Sequence, residues 1–343
     1  MKYGVYPGFE LSGQPAPHTR PAGARATDNV ISKKSNRPAR RLLPSSHAAP
    51  GPCEGAASER GQRRHSPPMI APTIPELVAR AAAYPFLGEH LALGTGAWHD
   101  QAVAKRRGVE LLSAYEPIYD ITVHSGVQSL TADLSSASRF GDELGFQAVT
   151  LREQDGHAVP FDPFVDSLDD PELVALDRMV RSLHTINFLG SQQHGLLFLR
   201  VHERLLKSVK YDHGRHFSNV LVSFGLNPGR IVIELPAAAV AHRTFVGYLT
   251  KSYQRYGFKV AGNLPNAGQI LSVSDMARLD FVKMDATAAL RDSVVKPLVS
   301  YAARLRIPLI FNRVVDAAQF EQLQQYDVRF VQGPVFAAQD KVI

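Results

Sequence analysis

Residues 281–312 read FVKMDATAALRDSVVKPLVSYAARLRIPLIFN, and their pattern decides the fold class. This stretch begins with the apolar run Phe281–Met284 and ends with a second one, Pro308–Asn312. Between these runs, Ala286–Leu305 places apolar side chains at helical spacing. Two strands joined by a single crossover helix run parallel in one sheet. The stretch therefore predicts a strand–helix–strand unit.

The same alternation of strand-like and helical patterns continues outward from this unit. Apolar runs predict eight strands: Tyr115–Val123, Leu144–Leu151, Leu196–Val201, Arg230–Leu235, Phe258–Gly262, Phe281–Met284, Pro308–Asn312 and Arg329–Gln332. Amphipathic spacing predicts the connecting helices: Asp170–Asn187, His216–Leu226, Ala239–Tyr256, Ala286–Leu305 and Ala317–Gln325. Eight such units favour an α/β fold, a closed and modified (β/α)8 TIM-like barrel. In such a barrel, functional side chains lie at the carboxyl ends of the strands.

The first 68 residues differ from the rest in composition and charge. They contain ten of the 23 prolines, and eleven Lys and Arg residues against four Asp and Glu residues. Too few apolar side chains are present to offset the entropy of ordering, so we predict a disordered basic tail over 1–68. The formal charge of +6 arises in this tail and does not indicate nucleic-acid binding. A native start at Met69 is one hypothesis.

Residues 69–114 are predicted to form a helical extension ahead of the barrel domain, 115–343. Thr73-Ile74-Pro75-Glu76 has the pattern of a capping box with an early proline, which predicts a short helix ending at Pro85. A second helix is predicted around 101–114. We interpret the two helices as a packed extension, with a lid or a dimerisation element as alternatives.

Cysteine content and hydropathy indicate the cellular compartment of the protein. The chain has a single cysteine, Cys53, so no disulfide can form within it. No apolar run approaches the roughly 18–20 residues that span a bilayer, and no signal peptide opens the sequence. We therefore expect a cytoplasmic protein without a membrane or nucleic-acid partner.

Four short segments at the predicted strands carry a family resemblance. They are Tyr115-Glu116-Pro117-Ile118, Arg230–Glu234, Phe281–Asp285 and Val331–Phe336. In this order they are similar to the Tyr-Gln-Pro-Ile, Leu-Glu-Leu-Glu, Val-Lys-Ile-Asp and Val-Gln-Gly-Tyr-x-Phe segments of the EAL domain. The sequence resembles this bacterial family over residues 115–340. The resemblance implies a modified barrel that hydrolyses cyclic di-GMP with divalent metal.

The positions that hold the metal in the family differ in this chain. Gln147 stands at the glutamate of Glu-Ala-Leu, and Arg200 stands at a metal-binding asparagine. The seven positions compared are Gln147, Arg200, Glu234, Asn263, Leu264, Lys283 and Asn312. The resemblance implies five carboxylates and one lysine there, whereas this chain has one glutamate, one lysine and one arginine, formally +1. Because Mg²⁺ and similar ions need carboxylate oxygens, we predict no metal, no cofactor and no hydrolysis.

Arg200 and Lys283 leave two interpretations of the barrel mouth open. Their charges suit direct binding of a phosphate in place of a metal. We favour the other interpretation, in which Arg200 pairs with Glu234 or Asp285 in a closed mouth. Arg152 is a candidate substitute for the arginine that follows Glu-Ala-Leu in the family. The predicted ligand pocket comprises Gln147, Arg200, Glu234, Asn263, Lys283, Asn312 and Gln332.

These departures lead to a functional hypothesis. We expect a degenerate EAL-domain signalling protein that acts through a protein partner or by metal-independent sensing of a ligand such as cyclic di-GMP. Family barrels often pair, which leaves a homodimer open. The alternative is an active cyclic di-GMP phosphodiesterase using Mg²⁺ or Mn²⁺. Its support is the set of family residues that remain: Glu234, Lys283, Asp285 and Gln332.

Overall fold

The computed structural model describes residues 71–122, 141–162, 169–208, 212–271 and 278–336. The predicted basic tail and the hypothetical start at Met69 lie outside these ranges. Among the described residues, no helix is both long and apolar enough to cross a bilayer.

The strands of the described residues form one mixed sheet. They are β1 (Leu91–Leu93), β2 (Ala102–Arg106), β3 (Val109–Asp120), β4 (Asp142–Gln154), β5 (His157–Pro160), β6 (Leu196–Arg200), β7 (Ile231–Leu235), β8 (Lys259–Asn263), β9 (Phe281–Asp285), β10 (Leu309–Asn312) and β11 (Phe330–Gln332). Eight of them, β3, β4 and β6 to β11, close into a barrel because β3 pairs with both β4 and β11. These two pairings are antiparallel, and the six others around the barrel are parallel. The predicted barrel and its eight strands are confirmed.

The helices cover the outside of the barrel. They are α1 (Ile74–Ala81), α2 (Pro85–His90), α3 (Asp170–Gly190), α4 (Glu203–Ser208), α5 (Arg215–Phe224), α6 (Ala237–Val240), α7 (Arg243–Gln254), α8 (Ala286–Arg291), α9 (Val295–Leu305) and α10 (Ala317–Gln324). Two predicted helices are each divided: Ala239–Tyr256 into α6 and α7, and Ala286–Leu305 into α8 and α9. In the second case Ser293 has a φ of 55°, which a continuous right-handed helix does not allow.

The predicted helix over 101–114 is wrong, because these residues form β2 and the first half of β3. Arg107 and Gly108 both have positive φ, 50° and 77°, and make the two-residue turn of a hairpin. An Arg-Gly pair is a weaker turn signal than Asn-Gly, so the sequence pattern alone favours a helix here. The extension therefore begins with the helices α1 and α2 and continues with the strands β1, β2 and the first half of β3. The domain boundary at residue 115 stays a prediction, since β3 runs through it.

Two layers of inward-facing side chains fill the barrel. The lower layer is an apolar plug. Its members are Ile118, Phe198, Val232, Ala261, Phe281, Ile310 and Phe330, with Gly145 opposite Ile118. Side chains alternate along a strand, so the residues two positions nearer the carboxyl ends of the parallel strands also face inward, as does the matching position on β3. These positions form the floor of the barrel mouth.

A buried histidine joins α3 to the extension. His184 Nδ1 lies 2.8 Å from Ser113 Oγ on β3, and its Nε2 lies 3.1 Å from Thr150 Oγ1 on β4. Asn187, one turn later on α3, bonds both backbone groups of Ala102 on β2. Burial lowers the pKa of His184 to about 3, so its imidazole is neutral in the folded protein.

We predict that His184 makes the fold sensitive to acid. In the unfolded chain a histidine has a pKa near 6.5, so below that pH the unfolded state binds a proton that the folded state does not. Stability is then lost as pH falls from about 6.5 towards 3, by about 1.4 kcal/mol per pH unit. Urea unfolding at several pH values should give a shallower decline for His184→Gln than for wild type. Parallel declines would contradict this role.

Candidate functional site

The floor of the barrel mouth is one layer of polar side chains directly above the apolar plug. Every residue of the predicted ligand pocket belongs to it. The eight members are Glu116, Gln147, Arg200, Glu234, Asn263, Lys283, Asn312 and Gln332. The strand register pairs Glu116 with Gln147, Arg200 with Glu234 and Asn263 with Lys283, and the neighbouring pairs are staggered by two residues. The fold therefore brings together residues that are far apart in sequence.

Lys283 is at the centre of this layer. Its side chain is fully buried, and Nζ donates to Gln147 Oε1 at 2.5 Å and to Glu234 Oε2 at 2.9 Å. Nζ also lies 5.6 Å from the centroid of the Phe198 ring in the apolar plug. The ammonium is thus held between an amide oxygen, a carboxylate and an aromatic face.

Glu234 is the buried anion that faces this ammonium. Its Oε1 accepts a hydrogen bond from Asn263 Nδ2 at 2.9 Å and lies 3.5 Å from Arg200 Nε. Burial alone would raise the pKa of Glu234, but Lys283, Arg200 and the Asn263 hydrogen bond outweigh it and hold the pKa below its ordinary value. Burial lowers the pKa of the Lys283 ammonium, and Glu234 opposes that effect. The distance of 2.9 Å between Nζ and the Glu234 carboxylate is that of an ion pair.

A second branch of hydrogen bonds leads from Gln147 to Glu116. Gln332 Nε2 donates to Gln147 Oε1 at 3.0 Å and to Glu116 Oε2 at 2.8 Å. Glu116 lies directly opposite Gln147 on the antiparallel β3–β4 pair. Glu116 is not among the residues predicted for the pocket, although its position two residues from Ile118 on a strand indicates that both face the same way. With Glu116 included, the eight-residue layer carries two carboxylates and two cations and is formally neutral.

Asp285, the one predicted residue outside this layer, lies next to it at the rim of the mouth. Asp285 caps α8, since its Oδ1 accepts a hydrogen bond from Ala288 N–H at 2.9 Å, and its Oδ2 lies 3.2 Å from Arg313 Nη1. Arg200 pairs with Glu234 and not with Asp285, so the first of the two predicted pairings is confirmed. The side chains of Arg200 and Arg313 are 66% and 77% exposed, so both guanidiniums reach solvent at the mouth.

Arg152 does not take the position of the family arginine. It follows Leu151 on β4, and successive residues of a strand point to opposite faces. Gln147 and Leu151 share one face, whereas Arg152 lies with its guanidinium 5.4 Å from the Phe161 ring and bonds Gln154. Its candidacy as a substitute is therefore wrong.

The donors at the mouth do not fit a divalent metal ion. Gln147 Oε1 and Glu234 Oε2 both accept hydrogen bonds from Lys283, so a metal between them would meet an ammonium at hydrogen-bond distance. Leu264, at a position that the resemblance gives a carboxylate, is a buried aliphatic side chain. Across the described ranges, no three His, Cys, Asp or Glu side chains are grouped to hold a metal.

Structural comparison identifies the same barrel in several bacterial proteins. One is the Bacillus subtilis YkuI protein with an EAL domain, at 18% identity and a TM-score of 0.50, covering 65% of this chain and 54% of that one. A second is the FimX EAL domain of Pseudomonas aeruginosa, at 15% identity and a TM-score of 0.50, covering 66% of this chain and 88% of that one. A third is the Vibrio cholerae LapD S helix-GGDEF-EAL protein, at 14% identity and a TM-score of 0.52, covering 66% of this chain and 53% of that one.

These likenesses establish the EAL-type barrel fold. The chain spans about half the length of the YkuI and LapD chains. No protein-family model matches the sequence, and no curated protein is similar to it at a significant level.

We predict that Lys283 and Glu234 are strongly coupled in stability. Lys283→Met leaves a buried carboxylate short of its main counter-ion and should lower the free energy of unfolding by about 3–5 kcal/mol. Replacing both charges, in Lys283→Met/Glu234→Leu, should cost less than either single change, because no buried charge is left uncompensated. Urea unfolding of the four proteins measures the coupling.

The exposed pair Arg291 and Asp292 supplies the control. The corresponding double variant, Arg291→Met/Asp292→Leu, should show no coupling, because water screens both charges. If the double variant lost as much free energy of unfolding as the two single variants of Lys283 and Glu234 together, the buried ion pair would be contradicted.

Proposed function

We propose that this chain is a degenerate EAL-domain signalling protein that does not hydrolyse cyclic di-GMP and acts by binding. The contact of Lys283 Nζ with both Gln147 Oε1 and Glu234 Oε2 carries the proposal. Hydrolysis of a phosphodiester at neutral pH requires an activated water, which enzymes commonly obtain from a metal that lowers its pKa. Here the oxygens that would hold such an ion are bonded to an internal ammonium.

The binding function is supported by the charges at the rim. Lys283 is fully buried and already bonded to Gln147 and Glu234, so it is not available to bind a phosphate as the phosphate interpretation requires. Arg200 keeps its guanidinium largely exposed while Nε faces Glu234, and Arg313 is exposed four strands away around the barrel. Two guanidiniums on opposite sides of a mouth suit a ligand with two phosphates. The FimX and LapD structures hold cyclic di-GMP, which has this character.

We therefore propose cyclic di-GMP, bound without metal, as the ligand that this mouth senses. A protein partner that receives the signal, a homodimer and a cytoplasmic location remain predictions from the sequence.

Two readouts on one preparation test the proposal. Purified protein incubated with cyclic di-GMP and either Mg²⁺ or Mn²⁺ should form no more linear dinucleotide than Lys283→Met/Glu234→Leu, measured by chromatography. Calorimetric titration with cyclic di-GMP in a chelator should give a saturable heat that Arg200→Ala reduces by at least about tenfold in affinity, since one charge-assisted contact is lost.

Arg291→Ala, which removes an exposed arginine outside the mouth, should leave the titration unchanged. Metal-dependent product above the double variant would overturn the non-hydrolytic proposal. Absence of heat, or equal heat in Arg200→Ala, would overturn ligand sensing at the mouth and leave the protein partner as the mode of action.

A further inference from the structure

Two buried side-chain oxygens of the polar layer have no hydrogen-bond donor. They are Gln332 Oε1 and Asn312 Oδ1, and neither is bonded within the part of the chain that the structure describes. The two residues are neighbours, because each directly follows the paired residues of the parallel strands β10 and β11. Both side chains face the mouth, since Ile310 and Phe330, two residues earlier, belong to the apolar plug. A buried acceptor without a donor is unfavourable and is normally met by a bound water or ion.

The hydrogen bonds of the floor fix which end of the Gln332 amide is the oxygen. The Lys283 ammonium can only donate, so the Gln147 atom that it meets is the oxygen, Oε1. That oxygen can only accept, so its second partner is the nitrogen of Gln332, which also donates to the Glu116 carboxylate. Gln332 Oε1 lies on the other side of the amide from these two bonds. The strand that flanks β11 opposite β3 is β10, which carries Asn312.

The charges of the mouth are divided unevenly between its two sides. Both cations of the layer, Lys283 and Arg200, lie at the Glu234 carboxylate. Glu116 accepts its hydrogen bond from the Gln332 amide and forms no ion pair with a described Lys or Arg. One carboxylate is thus left without a counter-ion beside the two free oxygens.

A neighbouring carboxylate does not change this balance. Asp285 is level with Asn312 on the adjacent strand β9. Its Oδ1 accepts from the backbone N–H of Ala288 and its Oδ2 lies 3.2 Å from Arg313 Nη1, so its charge is already paired. The net charge near the two oxygens is therefore that of Glu116 alone.

This combination favours a cation over a water molecule. A water that donates to both oxygens leaves its own lone pairs without a donor and Glu116 without a counter-ion. A cation satisfies the oxygens and the carboxylate together. Amide and carboxylate oxygens are the usual ligands of hard cations. Because only one carboxylate is unpaired, a single positive charge balances the site.

We infer that the β10–β11 side of the mouth binds a monovalent alkali cation, K⁺ or Na⁺, through Gln332 Oε1 and Asn312 Oδ1 and next to Glu116. This position is distinct from the pair of Lys283 and Glu234, where the donors do not fit a divalent ion. The inference goes beyond the proposed function, since the ion binds without cyclic di-GMP.

Thermal unfolding of the full chain without nucleotide tests the inference. The midpoint is measured in KCl, in NaCl and in tetramethylammonium chloride of equal ionic strength, because methyl groups cover the charge of the third cation. An alkali concentration ten times its Kd should raise the midpoint by about 2–4 °C, and the more effective salt identifies the ion. Equal midpoints in the three salts up to about 0.5 M would overturn the inference and leave the oxygens to water.

A variant with a matched control assigns the effect to the site. Asn312→Leu removes one of the two oxygens, so in tetramethylammonium chloride it should be at least as stable as wild type. Its midpoint should not rise in KCl or NaCl. Asn219→Leu, at an exposed position on α5, should keep the full rise. If Asn312→Leu lost the same stability in all three salts, its amide would bond Gln332 directly and the inference would be contradicted.

Crystals grown with thallium(I) acetate locate the ion independently of stability. Tl⁺ takes the place of an alkali cation and gives a strong anomalous signal. We expect a peak at bonding distance from Gln332 Oε1 and Asn312 Oδ1 in the wild type, and none in Asn312→Leu. Density between these oxygens without anomalous signal in the wild type would identify a water and refute the cation site.

Discussion

The ammonium of Lys283, enclosed without exposure to solvent, is the constraint on which the mouth of this barrel depends. A buried cation is tolerated only when an anion and further acceptors replace the water it has lost. Glu234 supplies the anion and Gln147 supplies a neutral oxygen at 2.5 Å. Asn263 donates a hydrogen bond to Glu234, and Gln332 donates one to Gln147, so these two acceptors also fix the positions of both amides.

The charges of two opposite residues, Glu116 and Gln147, agree with this constraint. The resemblance places a glutamine at position 116 and a glutamate at position 147, whereas this chain has Glu116 and Gln147. These residues face each other across β3 and β4, so this chain carries its carboxylate on the strand opposite the one that the resemblance implies. At its new position the carboxylate bonds Gln332 and leaves the neighbour of Lys283 uncharged. An amide next to the ammonium accepts its hydrogen bond without adding a third buried charge to the centre.

Much of this arrangement could be predicted from the sequence because strand periodicity survives inside a barrel. The apolar runs located all eight barrel strands, and the resemblance to the EAL family gave the members of the polar layer other than Glu116. Glu116 could not be predicted in the same way, because the resemblance gives its position no catalytic group. The extension was misread for a local reason: the spacing of apolar residues in 101–114 also fits a helix, and only the positive φ of Arg107 and Gly108 excludes it. The direction of the Arg152 side chain depends on its position along β4, which motif spacing alone does not reveal.

Crystals grown or soaked with Mn²⁺, with anomalous diffraction recorded near the manganese edge, test the central claim most directly. We predict no anomalous peak at bonding distance from Glu234 and a Lys283 Nζ that still contacts both Gln147 and Glu234. A manganese ion coordinated by Glu234, with the lysine displaced, would contradict the account.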